Sequence, residues 1–205
     1  MVPAVRGAGG APRWVGEATP DYLADPLAAL HLHRLMPRLA VIAVVRDPVQ
    51  RAFAAWDQNR RSGAEKRSFA EAVRDELPAA RACYATGLRM LAELGTAAPT
   101  HTPAPLASYV RDCAYYRHGT QDCWTFPARE SRHGRACKRY LYKGFYDVHL
   151  RLYAALFAPE QGGGDGDVYG RGSMLVVKAE ELFSDTGGVL NRVLGFLGLE
   201  PAPRP

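Results

Sequence analysis

Residues 39 to 59, LAVIAVVRDPVQRAFAAWDQN, decide how this chain is read. LAVIAVV (39 to 45) is a continuous apolar run rich in valine, of a length suited to a strand covered on both faces in a parallel sheet. Arg46 follows it directly. Asp47 then has the side chain of a helix N-cap, and Pro48 stands at the first helical position, where its missing N–H costs nothing. A helix is expected to run to about Arg60, with Val49, Ala52, Phe53 and Trp56 on its buried side. An arginine delivered to the end of a buried strand, just before a helix N-terminus, suits an anion. The guanidinium forks onto phosphate oxygens, the first helical N–H groups add donors, and ligands of open α/β sheets collect at that edge. The alternative is that Arg46 simply pairs with Asp47 or another surface carboxylate; spacing alone does not choose between the two.

Outward from this unit, the first 13 residues read as a flexible lead, and VGEATPDYL gives a short apolar entry followed by turn chemistry around Pro20. Residues 26 to 36 read as a helix. SFAE at 68 to 71 has the spacing of a capping box, opening a helix expected to end near Pro78, with a further helix over 79 to 95. TAAPTHTPAP reads as an exposed loop, and the Cys-containing insert at 113 to 139 shows no clear period. From Tyr140 to about Phe157, Leu141, Phe145, Val148, Leu152, Ala155 and Leu156 recur at helical spacing. A glycine-rich loop (161 to 173) leads to a second apolar strand (174 to 178), a short acidic turn and a closing helix, VLNRVLGFLGL. Strand, helices, strand and helix make an α/β layout.

At 205 residues and 47% hydrophobic content the chain can bury one sizeable core, so a single domain is expected. A formal charge of +5 fits an acidic ligand such as a nucleotide or an anionic polysaccharide, but is too weak to argue nucleic-acid binding. No apolar run approaches the ~18 residues of a membrane span, and the start has no signal-peptide core. Cys83, Cys113, Cys123 and Cys137 form an even set, read as disulfides if the domain is lumenal or secreted. A metal site is the rival, with His101, His118 and His133 nearby, but no C-x-x-C or H-x-x-x-H spacing supports it. The basic residues Arg129, Arg132, Arg135, Lys138, Arg139 and Lys143 suit a sulfated or uronate-bearing chain, or equally a solvated insert. Tyr142 and Tyr146 read as packing residues before ligands.

Across Trp14 to Asp57 and again across Tyr140 to Pro201, the chain resembles the sulfotransferase superfamily, in particular the Golgi carbohydrate enzymes that modify glycosaminoglycans. VGEATPDYL is similar to their G-E-K-[ST]-P-x-Y motif, and VVRDPVQRAFAAW to their R-[DN]-P-x-x-R-x-x-S-x-[YW] motif. KGFYDVHLRLYAALF looks like their G-x-Y-x-x-x-L-x-x-[WY] helix, and MLVVKAEELFSDTGGVLNRVLGFLGLEP like their [LV]-V-[LVK]-x-E-[DE]-L strand with its final helix. The resemblance implies a P-loop-NTPase-like three-layer sulfotransferase fold with a parallel sheet. It also implies transfer of sulfate from 3′-phosphoadenosine 5′-phosphosulfate to a hydroxyl of a carbohydrate or polysaccharide acceptor, in the Golgi lumen and without a metal. Glu17 matches the family's general base and Arg46 the 3′-phosphate arginine; a carboxylate with a pKa of ~4.3 is ionised at neutral pH and can take the hydroxyl proton.

Departures from the pattern carry weight. Ala54 stands where the family has a serine that also bonds the 3′-phosphate, a loss of about 0.5 to 1.5 kcal/mol of binding. Ala18 replaces the usual lysine after the glutamate. Nothing like the K-x-G-[ST]-[ST] loop that cradles the 5′-phosphosulfate precedes Trp14, and the C-terminal basic loop over the adenosine is also missing. The fold is therefore expected to be incomplete at its N-terminus. The second reading is a degenerate, non-catalytic member that binds nucleotide or anionic polysaccharide. A P-loop kinase or NTPase is disfavoured, since no Walker lysine or metal-binding acidic partner is visible.

Overall fold

The structure, a computed structural model, describes residues 15–94, 106–107, 109–110, 113, 139–157 and 173–201. The lead, most of the Cys-containing insert with Cys123 and Cys137, the three histidines named above and the Gly-rich loop lie outside these residues. In chain order the elements are α1 (Pro26–Leu35), β1 (Ala40–Val45), α2 (Pro48–Arg61), α3 (Phe69–Leu94), α4 (Tyr146–Leu156), β2 (Ser173–Lys178), α5 (Ala179–Ser184) and α6 (Thr186–Phe196). Among the described residues the sheet is β1 and β2 alone, paired in parallel from Ala40 opposite Ser173 to Val45 opposite Lys178. The chain is mixed α/β, with helices predominating.

The local signals at the helix starts act as the sequence suggests. Asp47 caps α2 by accepting from the Gln50 N–H at 2.7 Å, with Pro48 first in the helix. Asp25 does the same for α1 at Leu27, 2.9 Å, ahead of Pro26. The capping box forms in both directions: Ser68 N–H donates to Glu71 Oε2 at 2.8 Å, and Glu71 N–H donates to Ser68 Oγ at 3.3 Å. At the far end of α2 the chain turns through Gly63, whose φ of 75° is a conformation that side chains with a Cβ rarely adopt.

Three expectations are corrected. Pro78 does not end a helix; α3 runs through it as one 26-residue helix. The proline leaves the Arg74 carbonyl without its helical donor, and because Arg74, Leu77, Pro78 and Ala79 face solvent, water can take that place. On α2 the buried side is Ala52, with Ala55 and Trp56 partly covered, whereas Val49 (67%) and Phe53 (49%) are exposed. The helix rests its small-residue face on Ala72, Phe69 and Tyr140, so its apolar stripe is narrower than the pattern suggests. Strand β1 is not covered on both faces: Ala43 is buried, but Ile42 and Val44 are 38% and 54% exposed.

The main core gathers Ala29 and Leu30 of α1, Met90 and Leu91 of α3, Leu106 and Tyr109, and Val148, Leu152 and Leu156 of α4. Close approach at its centre depends on Gly87. A Cβ there would lie 2.8 Å from Val148 Cγ1 and 3.1 Å from Tyr109 Cε2. The expected helix from Tyr140 divides into a 3-10 turn (Tyr142–Gly144) and α4, with Tyr142 turned into the core.

A second, polar centre joins α2, α3 and this turn. Glu65 is 3% exposed, and its carboxylate accepts from the Lys66 and Arg67 N–H groups, the Arg67 guanidinium at 2.7 Å and the Tyr140 hydroxyl at 3.1 Å. Removing the Glu65 carboxylate leaves the Tyr140 hydroxyl and the Arg67 N–H without their acceptor, although the Arg67 guanidinium keeps Asp75. Glu65→Ala is therefore expected to destabilise the fold by about 1 to 3 kcal/mol, measured as a fall in the urea midpoint with the slope unchanged; an unaltered midpoint would show the network to be dispensable.

Candidate functional site

The corner after β1 places Arg46 and Asp47 at the carboxyl end of the sheet. Register sets Val45 beside Lys178, so Glu180, in the first turn of α5, comes up against that corner. The Asp47 N–H donates to Glu180 Oε1 at 2.9 Å. This hydrogen bond, with a smaller contribution from the Arg46 charge, holds the Glu180 carboxyl below its ordinary pKa. Arg46 itself is exposed and donates to Gln50 Oε1 at 3.2 Å, one turn along α2. The Asp47 carboxylate accepts from the Gln50 N–H as its own helix cap, and among the described residues it makes no ion pair with Arg46. Glu180 is the carboxylate that Arg46 senses. Ala54, one further turn along α2, is exposed, as is Ala18.

Glu17 lies in the segment before α1. Its Oε1 accepts from Thr19 Oγ1 at 2.6 Å and from the Tyr22 hydroxyl at 3.2 Å. That segment is tied to α4 and the turn before it: Tyr153 donates its hydroxyl proton to the Tyr22 carbonyl at 2.9 Å, the Tyr142 hydroxyl donates to the Ala24 carbonyl at 3.2 Å, and Lys143 pairs with Asp21. Glu17 is thus held in a fixed loop and remains exposed. Among the described residues the contacts of Glu17 and Arg46 do not meet.

Between them stands the segment Tyr140–Phe145, and here lie the groups that the sequence reading passed over. Glu76 of α3 accepts from the Leu141 and Tyr142 N–H groups at 3.0 and 3.1 Å; burial raises its carboxyl pKa, against the lowering effect of these bonds. Arg51 of α2 donates to the Tyr140 carbonyl, and its guanidinium and Pro48 lie against Gly144. The signal for Arg51 was present, as the second arginine of the R-[DN]-P-x-x-R pattern; nothing local marks Glu76. Of the basic cluster, the described members are engaged, Arg139 over the Tyr142 ring at 5.1 Å and Lys143 with Asp21. Tyr142 packs in the core, as expected.

Among the described residues no group of three or more His, Cys, Asp or Glu is placed to hold a metal ion. No described helix is long and apolar enough to cross a membrane. Comparison of the chain with known protein families, with curated proteins and with solved structures finds no match.

One buried titratable group supports this region. His149 of α4 is 1% exposed, with Nε2 3.1 Å from the Tyr142 carbonyl, and burial lowers its pKa. Its folded pKa lies below the unfolded value of ~6.5, so its contribution to stability is complete above that value. It is lost as pH falls, because the unfolded chain takes the proton first. The melting temperature is expected to drop as pH is lowered below ~6.5, and His149→Phe, followed by circular dichroism, is expected to remove that part of the drop. Identical pH profiles would overturn the assignment.

Proposed function

We propose that this chain is a carbohydrate-type sulfotransferase domain, with Arg46 meeting the 3′-phosphate of 3′-phosphoadenosine 5′-phosphosulfate and Glu17 serving as general base toward an acceptor hydroxyl. The observation that carries this reading is the convergence of four sequence segments that lie far apart in the chain. The Asp47 N–H of the second segment meets Glu180 of the fourth. Pro48 and Arg51 of the second rest on Gly144 of the third. Lys143 of the third pairs with Asp21 of the first. These contacts join the four segments and support a shared site for them.

The chemistry on this reading is a single in-line displacement. The acceptor oxygen bonds to sulfur, the bond from sulfur to the bridging phosphate oxygen breaks, the hydroxyl proton passes to Glu17, and 3′-phosphoadenosine 5′-phosphate leaves. The residues present fit the 3′-phosphate in part. Arg46 is exposed and, among the described residues, its only hydrogen bond is to the neutral Gln50, leaving guanidinium N–H groups to donate. Thr19 and Tyr22 donate to Glu17 and hold its carboxylate in place. Turnover also requires a 5′-phosphosulfate loop, which none of the 205 residues matches.

Ala54, Ala18 and the Glu180 carboxylate beside Arg46 favour a second reading, a non-catalytic relative that binds nucleotide or anionic polysaccharide. Titration with 3′-phosphoadenosine 5′-phosphate, followed calorimetrically, is expected to show weak binding that Arg46→Ala reduces by at least about tenfold. Equal affinity in wild type and variant would sink the assignment. Ala54→Ser is expected to strengthen binding by about 0.5 to 1.5 kcal/mol, the value of one hydroxyl hydrogen bond. The two readings separate on Glu17. In a chain supplied with a phosphosulfate loop, Glu17→Gln is expected to lower sulfate transfer roughly a hundredfold or more with nucleotide binding intact. Absence of any transfer before the substitution favours the binding protein.

A further inference from the structure

Helix α3 and the residues around Tyr109 meet at Gly87, where the missing side chain lets the Tyr109 ring approach. Leu106, Ala107, Tyr109 and Val110 are helical, and the Cys113 N–H donates to the Tyr109 carbonyl at 2.8 Å, the spacing of one helical turn. Cys83 lies four residues before Gly87 on α3, and Cys113 four residues after Tyr109. If the two segments pass in opposite directions, one turn back on the first and one turn on along the second arrive at the same level. Two further observations fit that crossing. Met90, Leu91, Leu106, Tyr109 and Cys113 belong to one core cluster, and Cys83 packs against it. Both Cys83 and Cys113 act electrostatically on the hydroxyls of the same two rings, Tyr109 and Tyr142.

We propose that Cys83 and Cys113 form a disulfide that ties α3 to the segment carrying Tyr109. Cys83 is half-buried and Cys113 is 2% exposed, so the first is the sulfur that meets an oxidant and the second the one that resolves it. The oxidant is a low-molecular-weight disulfide such as oxidised glutathione. The Cys83 thiolate attacks one of its sulfurs, releasing one glutathione; the Cys113 thiolate then attacks the Cys83 sulfur of the mixed disulfide, releasing the second. The protein gives up two protons and two electrons and gains one S–S bond, while the glutathione disulfide becomes two thiols. The closed loop spans residues 83 to 113 and encloses Gly87 and Tyr109, against which Tyr142 packs. The bond therefore braces the floor beneath the segment Tyr140–Phe145, whatever reaction the chain performs.

Trypsin separates all four cysteines: Cys83 falls in ACYATGLR (82 to 89), Cys113 in DCAYYR (112 to 117), Cys123 in 118 to 129 and Cys137 in 136 to 138. The full chain is to be equilibrated with reduced and oxidised glutathione, alkylated, digested without reduction and analysed by mass spectrometry. The expected result is ACYATGLR joined to DCAYYR. Recovery of either peptide only in alkylated form, or joined to the Cys123 or Cys137 peptide, would overturn the pairing. In a Cys123→Ser, Cys137→Ser background the same crosslink is expected, and reduction is expected to lower the melting temperature by about 5 to 10 °C. Cys83→Ser in that background is expected to abolish the effect of reductant, and its persistence would count against the bond. The peptide map of the wild type decides the question even if a variant fails to fold.

Discussion

A half-buried stretch of chain that holds only a single 3-10 turn leaves backbone groups for side chains to satisfy, and Tyr140–Phe145 is such a stretch. Its two adjoining N–H groups, Leu141 and Tyr142, donate to one carboxylate oxygen of Glu76. The carbonyl of Tyr140 takes the Arg51 guanidinium, and that of Tyr142 faces His149 Nε2. An acid from α3, a base from α2 and an imidazole from α4 thus converge on six residues. Burial opposes the charge on Glu76 and on Arg51 alike; the backbone N–H donors favour the charge on Glu76, and the Tyr146 and Glu76 side chains favour that on Arg51. Once the segment is fixed, its side chains fix the rest: Lys143 and Tyr142 reach the segment before α1, and Gly144 seats α2 through Pro48 and Arg51. The positions of Glu17 and Arg46 both follow from this one anchoring.

The parts of this arrangement that were legible in the sequence are those whose cause is local. Asp47 followed by Pro48 and Ser68 followed by Glu71 each satisfy their helix within one turn, so a short window carries the whole signal. The apolar runs at 40 to 45 and 173 to 178 likewise become strands over nearly the expected spans. Pro78 misled because its cost depends on whether water can reach the freed carbonyl, a property of the fold and not of the neighbouring residues. Val49 and Phe53 misled because periodicity says which residues share a face, but not how wide a face the partner covers. Glu65 and Glu76 were not legible. A carboxylate destined for a buried network is written with the same letter as one on the surface, and its partners, Tyr140, Leu141 and Tyr142, lie some 65 to 75 residues away.

At the candidate site, legibility stopped at chemistry. The residue type and spacing identified Arg46 as an anion ligand or a partner of a carboxylate, and the structure supplies both possibilities at one corner: donor groups left on Arg46, and Glu180 close enough for its carboxyl to feel that charge. Glu180 also engages the Asp47 N–H, one of the backbone donors at the start of α2. A carboxylate is therefore already settled where a phosphate oxygen would find its backbone donor. On the proposed reading, an incoming phosphate has to share the corner with that charge.

Magnitudes show how far such a corner can go. Arg46 is exposed, and Ile42 and Val44 of the strand leading to it are partly open to solvent, so the local dielectric is closer to that of water than to that of a core. Two unit charges ~4 Å apart gain about 1 kcal/mol in bulk water and about 4 kcal/mol near a partly shielded protein surface. Even the larger figure corresponds only to millimolar affinity before the cost of association is counted, and the like charge of Glu180 reduces it. A second donor matters more in this setting than in a closed pocket, and the exposed methyl of Ala54 offers none. The affinity of the corner is therefore governed less by the arginine that makes it recognisable than by how completely its surroundings exclude water and Glu180.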